Sequence, residues 1–131
     1  MGTTFHRAFD CTRDPHSALA DLVVLDCERE LTAGRRETAL QGAPLIRELS
    51  KRAHGRIVIL PGAVITSGNI VDVATATGAH EFHASAKCQL QRKTKHHSAL
   101  REMSADELRS DPDEIRAMLR ALRTVTTPEG A

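Results

Sequence analysis

The sequence predicts an α/β protein with parallel strands, and two observations carry that prediction. Short apolar runs alternate with longer segments whose apolar residues recur at helical spacing. The run at 56–60 is β-branched and apolar on both faces, which is typical of a parallel strand covered on both sides. Repeated strand–helix units of this kind imply parallel strands joined by right-handed crossovers. The chain's 131 residues give room for a single domain.

Local signals place the elements of the first part of the chain. Asp14 is expected to cap the first helix, which the following proline begins. His54 and Gly55 end the second helix, with the glycine in a left-handed conformation. Thr66 is expected to cap the third helix. The predicted elements are, in order, a strand at 3–9, a helix at 15–25, a strand at 28–32, a helix at 43–53, a strand at 56–60, a helix at 67–77 and a strand at 81–86.

The last third of the chain differs in character. Residues 91–103 are polar and basic, and we expect a solvated loop there. A helical segment is predicted at 104–124, because Ser104 and Glu107 form a capping box and Asp111 precedes a proline that can begin a second part of it. The tail at 125–131 is expected to fray.

The composition argues against several classes of partner. Eighteen basic and 17 acidic residues give a net charge of +1, and the chain has no Trp or Tyr. Neither a strong charge bias nor stacking aromatics therefore points to nucleic acid. No apolar run approaches the roughly 20 residues that span a bilayer, so no membrane partner is expected. The amino terminus lacks an apolar signal region, which favours a cytoplasmic location.

Two histidines occupy matching places in the first and last predicted strands. His6 lies in a Phe-His-Arg-Ala string and His83 in a Phe-His-Ala-Ser string. Because neighbouring side chains in a strand alternate between faces, both histidines are expected to point toward the same face of the sheet. The pattern fits a binding site, and it also fits buried histidines whose hydrogen bonds are satisfied by neighbours.

Several longer strings resemble the CutC copper-homeostasis family. They are TFHRAFD at 4–10, LTAG at 31–34, ALQG at 39–42, GRIVILPG at 55–62 and EFHASA at 81–86. These blocks cover residues 3–87 in the family's order. The resemblance implies a partial (β/α)8 TIM barrel at residues 1–90, in which the chain supplies the four carboxyl-terminal βα units. It also implies that the chain is truncated, without the cysteines that the family is proposed to use for copper.

The chain departs from the family pattern at several positions. Ala63 and Val64 replace glycines after the third strand, where positive φ angles favour glycine. Asp26 likewise stands where the family often has glycine. Glu30 replaces an apolar residue within a strand, where burial without a partner would raise the pKa of its carboxyl.

Active sites of closed barrels lie at the carboxyl ends of the strands. The ligand-binding rim predicted there consists of His6, Arg7, Asp10, Thr32, Gly34, Gly62, His83, Ser85 and Lys87. A soft metal such as copper(I) would be held by His6, Cys11 and His83, since thiolate and imidazole suit that ion. The other two thiols, Cys27 and Cys88, are expected to be reduced and are assigned no role.

Three functions remain open from the sequence. The resemblance implies a copper homeostasis protein that binds copper. The cationic rim fits a barrel enzyme acting on a small anionic metabolite, although no catalytic residue is assigned and the balance leans away from an enzyme. A non-functional fragment is the third reading. No nucleotide cofactor is expected, because phosphate-binding glycine motifs are missing from the sequence.

A four-stranded parallel sheet would leave both outer strands with unpaired backbone groups. We therefore expect a homodimer through the edges at 3–9 and 81–86, which would bring His6 of one protomer near His83 of the other. Alternatively, the helix around 115–122 folds over the opening.

Overall fold

The computed structural model describes residues 1–91 and 106–125. Its main sheet has three parallel strands in the order β1 (Thr4–Phe5), β2 (Arg29–Thr32) and β3 (Val58–Pro61). The register places Phe5 opposite Glu30 and Glu30 opposite Ile59. A single parallel bridge between Gly62 and His83 extends the sheet beyond β3. The predicted α/β class with parallel strands is confirmed.

Three helices follow these strands, namely α1 (Pro15–Val24), α2 (Ala43–Ala53) and α3 (Ile70–Thr77). The predicted bounds of α2 are confirmed, as is the cap of α1, where the Asp14 carboxylate accepts from the His16 amide at 2.9 Å. The predicted start of α3 was wrong. Asn69 precedes its first turn, and its side chain instead accepts from the Thr66 amide at 2.8 Å.

The first and last predicted strands are shorter than the sequence pattern suggested. After β1 the chain turns into a 3-10 helix at Arg7–Cys11, because the His6 ring nitrogen Nδ1 accepts from the Ala8 amide at 3.0 Å. Within 81–86, His83 alone pairs with the sheet, its amide donating to the Pro61 carbonyl at 2.9 Å. A local side-chain hydrogen bond thus ends the first strand.

The helix predicted over 104–124 was wrong in its first part. Strands β4 (Lys87–Gln91) and β5 (Asp106–Ser110) form an antiparallel pair, so pairing between distant residues overrides the local helical pattern. The second part, begun by Asp111, is confirmed as α4 (Pro112–Leu122). The predicted basic loop and frayed tail fall almost entirely outside the described residues.

The core lies between one face of the sheet and the helices. Its buried members include Phe9, Leu19, Ile46, Leu49, Ile59 and Val73. Alternation along the strands places Thr4, Arg29, Leu31, Val58 and Leu60 on the other face, which we call the open face. Val58 on that face is 37% exposed, whereas its helix-facing neighbour Ile59 is 4% exposed. The sheet is thus well covered on one side only.

The three residues that replace the family's glycines have backbone φ angles in the left-handed region. Asp26 has φ 60°, Ala63 has φ 101° and Val64 has φ 55°. These non-glycine residues therefore adopt the positive φ angles that favour glycine. The Asn69 side-chain amide donates to the Val64 carbonyl at 2.6 Å and so helps to hold the strained loop.

No helix in the described ranges combines the length and apolar content that a membrane crossing requires.

Candidate functional site

The loops that follow β1 and β2 are joined by one carboxylate at the carboxyl ends of the strands. Asp10 accepts hydrogen bonds from the Thr32 hydroxyl at 2.5 Å and from the amides of Ala33 at 3.1 Å and Arg35 at 3.0 Å. The Arg7 guanidinium donates to it at 2.9 Å. Asp10 therefore fixes both loops, and it orients Arg7 within the predicted rim.

These contacts also settle the charge of Asp10. Burial alone would raise the pKa of the Asp10 carboxyl, but the hydrogen bonds from Thr32, Ala33, Arg7 and Arg35 outweigh it and lower the pKa below its usual value. The group is ionised at neutral pH with its acceptor sites engaged. Asp10 thus supports the site as a fixed negative charge.

Glu30 lies on the helix-facing side of β2 and is 0% exposed. Neither of its carboxyl oxygens has a hydrogen-bond partner among the described residues. Burial, with a smaller contribution from the negative charge of Asp10, raises the pKa of Glu30 to about 8. The predicted upward shift is confirmed, and Glu30 is mainly protonated at neutral pH.

Two arginines, Arg35 and Arg36, line a pocket that follows the carboxyl end of β2. A pocket of about 400 Å³ is bounded by Gly34, Arg35, Arg36, Gln41 and the start of α2. It adjoins a hollow lined by Arg7, Arg35, Arg36, Glu37 and Gln41. We call the Arg7, Arg35, Arg36 and Gln41 surface the arginine pocket. Within the described chain, the Arg35 and Arg36 side chains make no ion pair, so their guanidinium groups are available to a ligand.

Sequence reasoning did not select Arg35 or Arg36. The signal was nevertheless present, since two consecutive arginines directly follow the strand-end glycine Gly34. The Arg35 backbone has φ 62° and donates its amide to Asp10. The Arg36 carbonyl accepts from Arg7 at 3.4 Å.

A second pocket of about 590 Å³ shares Arg7 and Glu37 with the hollow of the arginine pocket. It contains the predicted rim residues His83, Ser85 and Lys87, together with Glu114. The Glu114 carboxylate is already occupied, because it accepts from the Ser67 amide at 2.6 Å and from the Ser67 hydroxyl at 2.9 Å. This pocket has a mixed charge, unlike the arginine pocket.

The remaining predicted rim residues have different surroundings. Thr32 is buried and donates to Asp10 from beneath the loops. Gly62 is also buried, and a Cβ there would lie 2.5 Å from Leu31 Cδ1, so a larger residue would require the Leu31 side chain to move. His6 is exposed, and its ring stacks on Phe5 with centroids 5.4 Å apart.

The geometry gives little support to the three predicted copper ligands. Over the described ranges, no three His, Cys, Asp or Glu side chains are grouped so that they could hold a metal ion. The Nδ1 atom of His6 is engaged by the Ala8 amide, and Cys11 is exposed. His6, Cys11 and His83 are therefore not gathered into a ready site, and copper ligation by them stays a prediction.

Comparison with known proteins finds relatives that carry the family name CutC. A protein of Xylella fastidiosa named a family protein CutC is 42% identical over 123 residues, which are 93% of this chain and 46% of the relative. A Parabacteroides distasonis protein with the same family name is 51% identical over 87 residues, covering 66% of this chain and 36% of the relative. The chain thus spans about half the length, or less, of the curated relatives it matches.

A solved structure also resembles this fold. It is a CutC protein of Streptococcus agalactiae to which a role in copper homeostasis has been ascribed. The match has a TM-score of 0.60 and 29% identity, and it covers 63% of this chain and 41% of that one. The model of the CutC family matches residues 1–88. The chain therefore belongs to the CutC family.

Proposed function

We propose that this chain serves in copper homeostasis as a CutC family protein, and that its molecular role is to bind a small anionic molecule in the arginine pocket. Family membership and the role ascribed to the Streptococcus agalactiae relative support the first part. The convergence of Arg7, Arg35 and Arg36 at the strand ends carries the second part.

We further infer that the sheet and its helices correspond to part of a (β/α)8 barrel. The parallel order of β1, β2 and β3, the Gly62–His83 bridge and the likeness to a CutC structure support this inference. In such barrels ligands bind at the carboxyl ends of the strands. The arginine pocket lies at that end.

The chemistry of the arginine pocket favours an anion over a cation. A guanidinium group can donate two parallel hydrogen bonds to a phosphate or carboxylate, which gives geometric selectivity as well as affinity. Glu37 is the one carboxylate that lines the hollow, against three guanidinium groups. Gln41 adds an amide beside them. The Asp10 carboxylate contributes by holding Arg7 and the Arg35 backbone in place.

Replacing both free arginines tests anion binding. We expect the double substitution R35Q/R36Q to weaken binding of inorganic phosphate by tenfold or more, since each charge-assisted hydrogen bond contributes roughly 1.5–3 kcal/mol. Calorimetric titration at constant ionic strength measures the affinity. The control R47Q/R120Q removes the same charge from exposed positions on α2 and α4. Equal phosphate affinity in the two double variants would contradict the proposal.

Copper(I) itself is a second candidate ligand, favoured by the exposed Cys11 thiol. His6 lies five residues earlier, and its engaged Nδ1 leaves Nε2 as the nitrogen able to bind a metal. Titration of the reduced protein with copper(I) against a competing chelator is expected to show weaker binding after Cys11→Ser than after Cys27→Ser. Equal affinities in the two variants would argue against copper ligation by Cys11.

A further inference from the structure

The open face is apolar where the sheet is most exposed. Val58 is 37% exposed, and its neighbours Leu31 and Leu60 are only half-buried. Parallel sheets in α/β proteins normally have both faces covered. The ionic groups on this face are already paired, because Arg29 Nε donates to the Glu81 carboxylate at 2.6 Å. A partner covering this face would therefore meet apolar side chains and a neutralised ion pair.

Both edges of the sheet also lack a pairing strand on one side, within the described residues. At one edge, β1 pairs with β2 on one side only among the described strands. At the other edge, the Ser85 and Ala86 carbonyls already accept from the Ser110 hydroxyl at 3.1 Å and the Asp111 amide at 2.7 Å. Residues 81–84, which include the bridge from His83 to Gly62, have no strand on their opposite side among the described residues. A closed barrel removes both edges by joining them.

We propose that a second copy of this chain covers the open face, with β1 of each protomer beside residues 81–84 of the other. The chain matches 46% and 52% of the lengths of two CutC relatives, so two copies supply about as many strand–helix units as one such relative. A twofold axis along the barrel would satisfy both edges at once. This inference rests on the barrel fold proposed above.

The arrangement would also complete the strand-end site. A twofold axis parallel to the strands places the carboxyl ends of all strands at the same end of the assembly. Arg7, which follows β1, would then lie beside the partner's His83 and Lys87 as well as near those of its own chain. The mixed pocket that contains His83 and Lys87 would thus be shared between protomers.

Sedimentation equilibrium at micromolar concentration tests the dimer. The wild-type chain is expected to sediment with twice its mass of 14.3 kDa. Val58→Asp is expected to weaken dimerisation at least tenfold and to give the monomer mass. The matched control is Val24→Asp, at a position that is 84% exposed at the end of α1 and away from the open face. This control is expected to remain dimeric.

A wild-type monomer, or equal masses for the two variants, would overturn the proposal. Circular dichroism melting checks that each variant is folded. Should Val58→Asp fail to fold, the milder Val58→Thr is compared with Val24→Thr, and equal dimer affinity in that pair would also overturn it. The R35Q/R36Q variant is expected to stay dimeric, because neither arginine lies on the open face. Loss of phosphate binding and loss of the dimer are thereby distinguished.

Discussion

Stability is expected to fall as the pH rises from about 5 to about 8, and Glu30→Gln is expected to remove most of that fall. The ordinary pKa of a glutamate is 4.5, whereas burial raises that of Glu30 in the folded protein to about 8. Between these values the unfolded chain has released the proton and the folded chain still holds it. The free energy of unfolding therefore decreases by up to about 1.4 kcal/mol per pH unit and levels off above about pH 8.

Urea unfolding at several pH values between 5 and 8 measures this dependence. Glu37→Gln provides the control, because Glu37 is exposed and the change removes the same charge. The informative quantity is the slope against pH, since a buried glutamine amide also lacks partners and lowers the absolute stability. Equal slopes for Glu30→Gln, Glu37→Gln and the wild type would show that Glu30 is not buried as described.

Asp10→Asn is expected to lower the free energy of unfolding by about 2–3 kcal/mol. The carboxylate accepts four hydrogen bonds, and asparagine replaces one of its two acceptor oxygens with a donor. The loops after β1 and β2 would lose part of their connection. Asp21→Asn, at an exposed position in α1, is the control and is expected to change stability little.

The same substitution should act on Glu30. The negative charge of Asp10 contributes to the raised pKa of Glu30, so its removal is expected to lower that pKa while burial still keeps it above 4.5. In Asp10→Asn the pH-dependent loss of stability would therefore end at a lower pH than in the wild type. An Asp10→Asn variant as stable as Asp21→Asn, with an unchanged pH profile, would contradict both expectations.

Elements with local signals could be predicted from the sequence. The bounds of α2 and the caps at Asp14 and Asp111 all depend on residues close in the chain. The segment 106–110 was missed because its strand depends on pairing with 87–91, which no local pattern reveals.

The candidate site was predicted in part. Resemblance and strand-end position together selected Arg7, His83 and Lys87, which do line the pockets. They could not show that Asp10 is a support whose acceptors are all engaged, because that follows from the packing of two loops. Arg35 and Arg36 were not predicted, because they lie between the family-like strings at 31–34 and 39–42.

The register of the sheet has a consequence for the rate at which the protein folds. Thr4 pairs with Arg29, and Arg29 pairs with Val58, so each strand contact closes a loop of roughly 25 to 30 residues. Contacts of such separation cost chain entropy before they stabilise anything, and they slow the search for the native state. Helix α2 joins β2 to β3 and has a strongly amphipathic pattern, with Ile46 and Leu49 on its buried stripe. The unit of β2, α2 and β3 is therefore the part of the chain where collapse is expected to start, with β1 joining later.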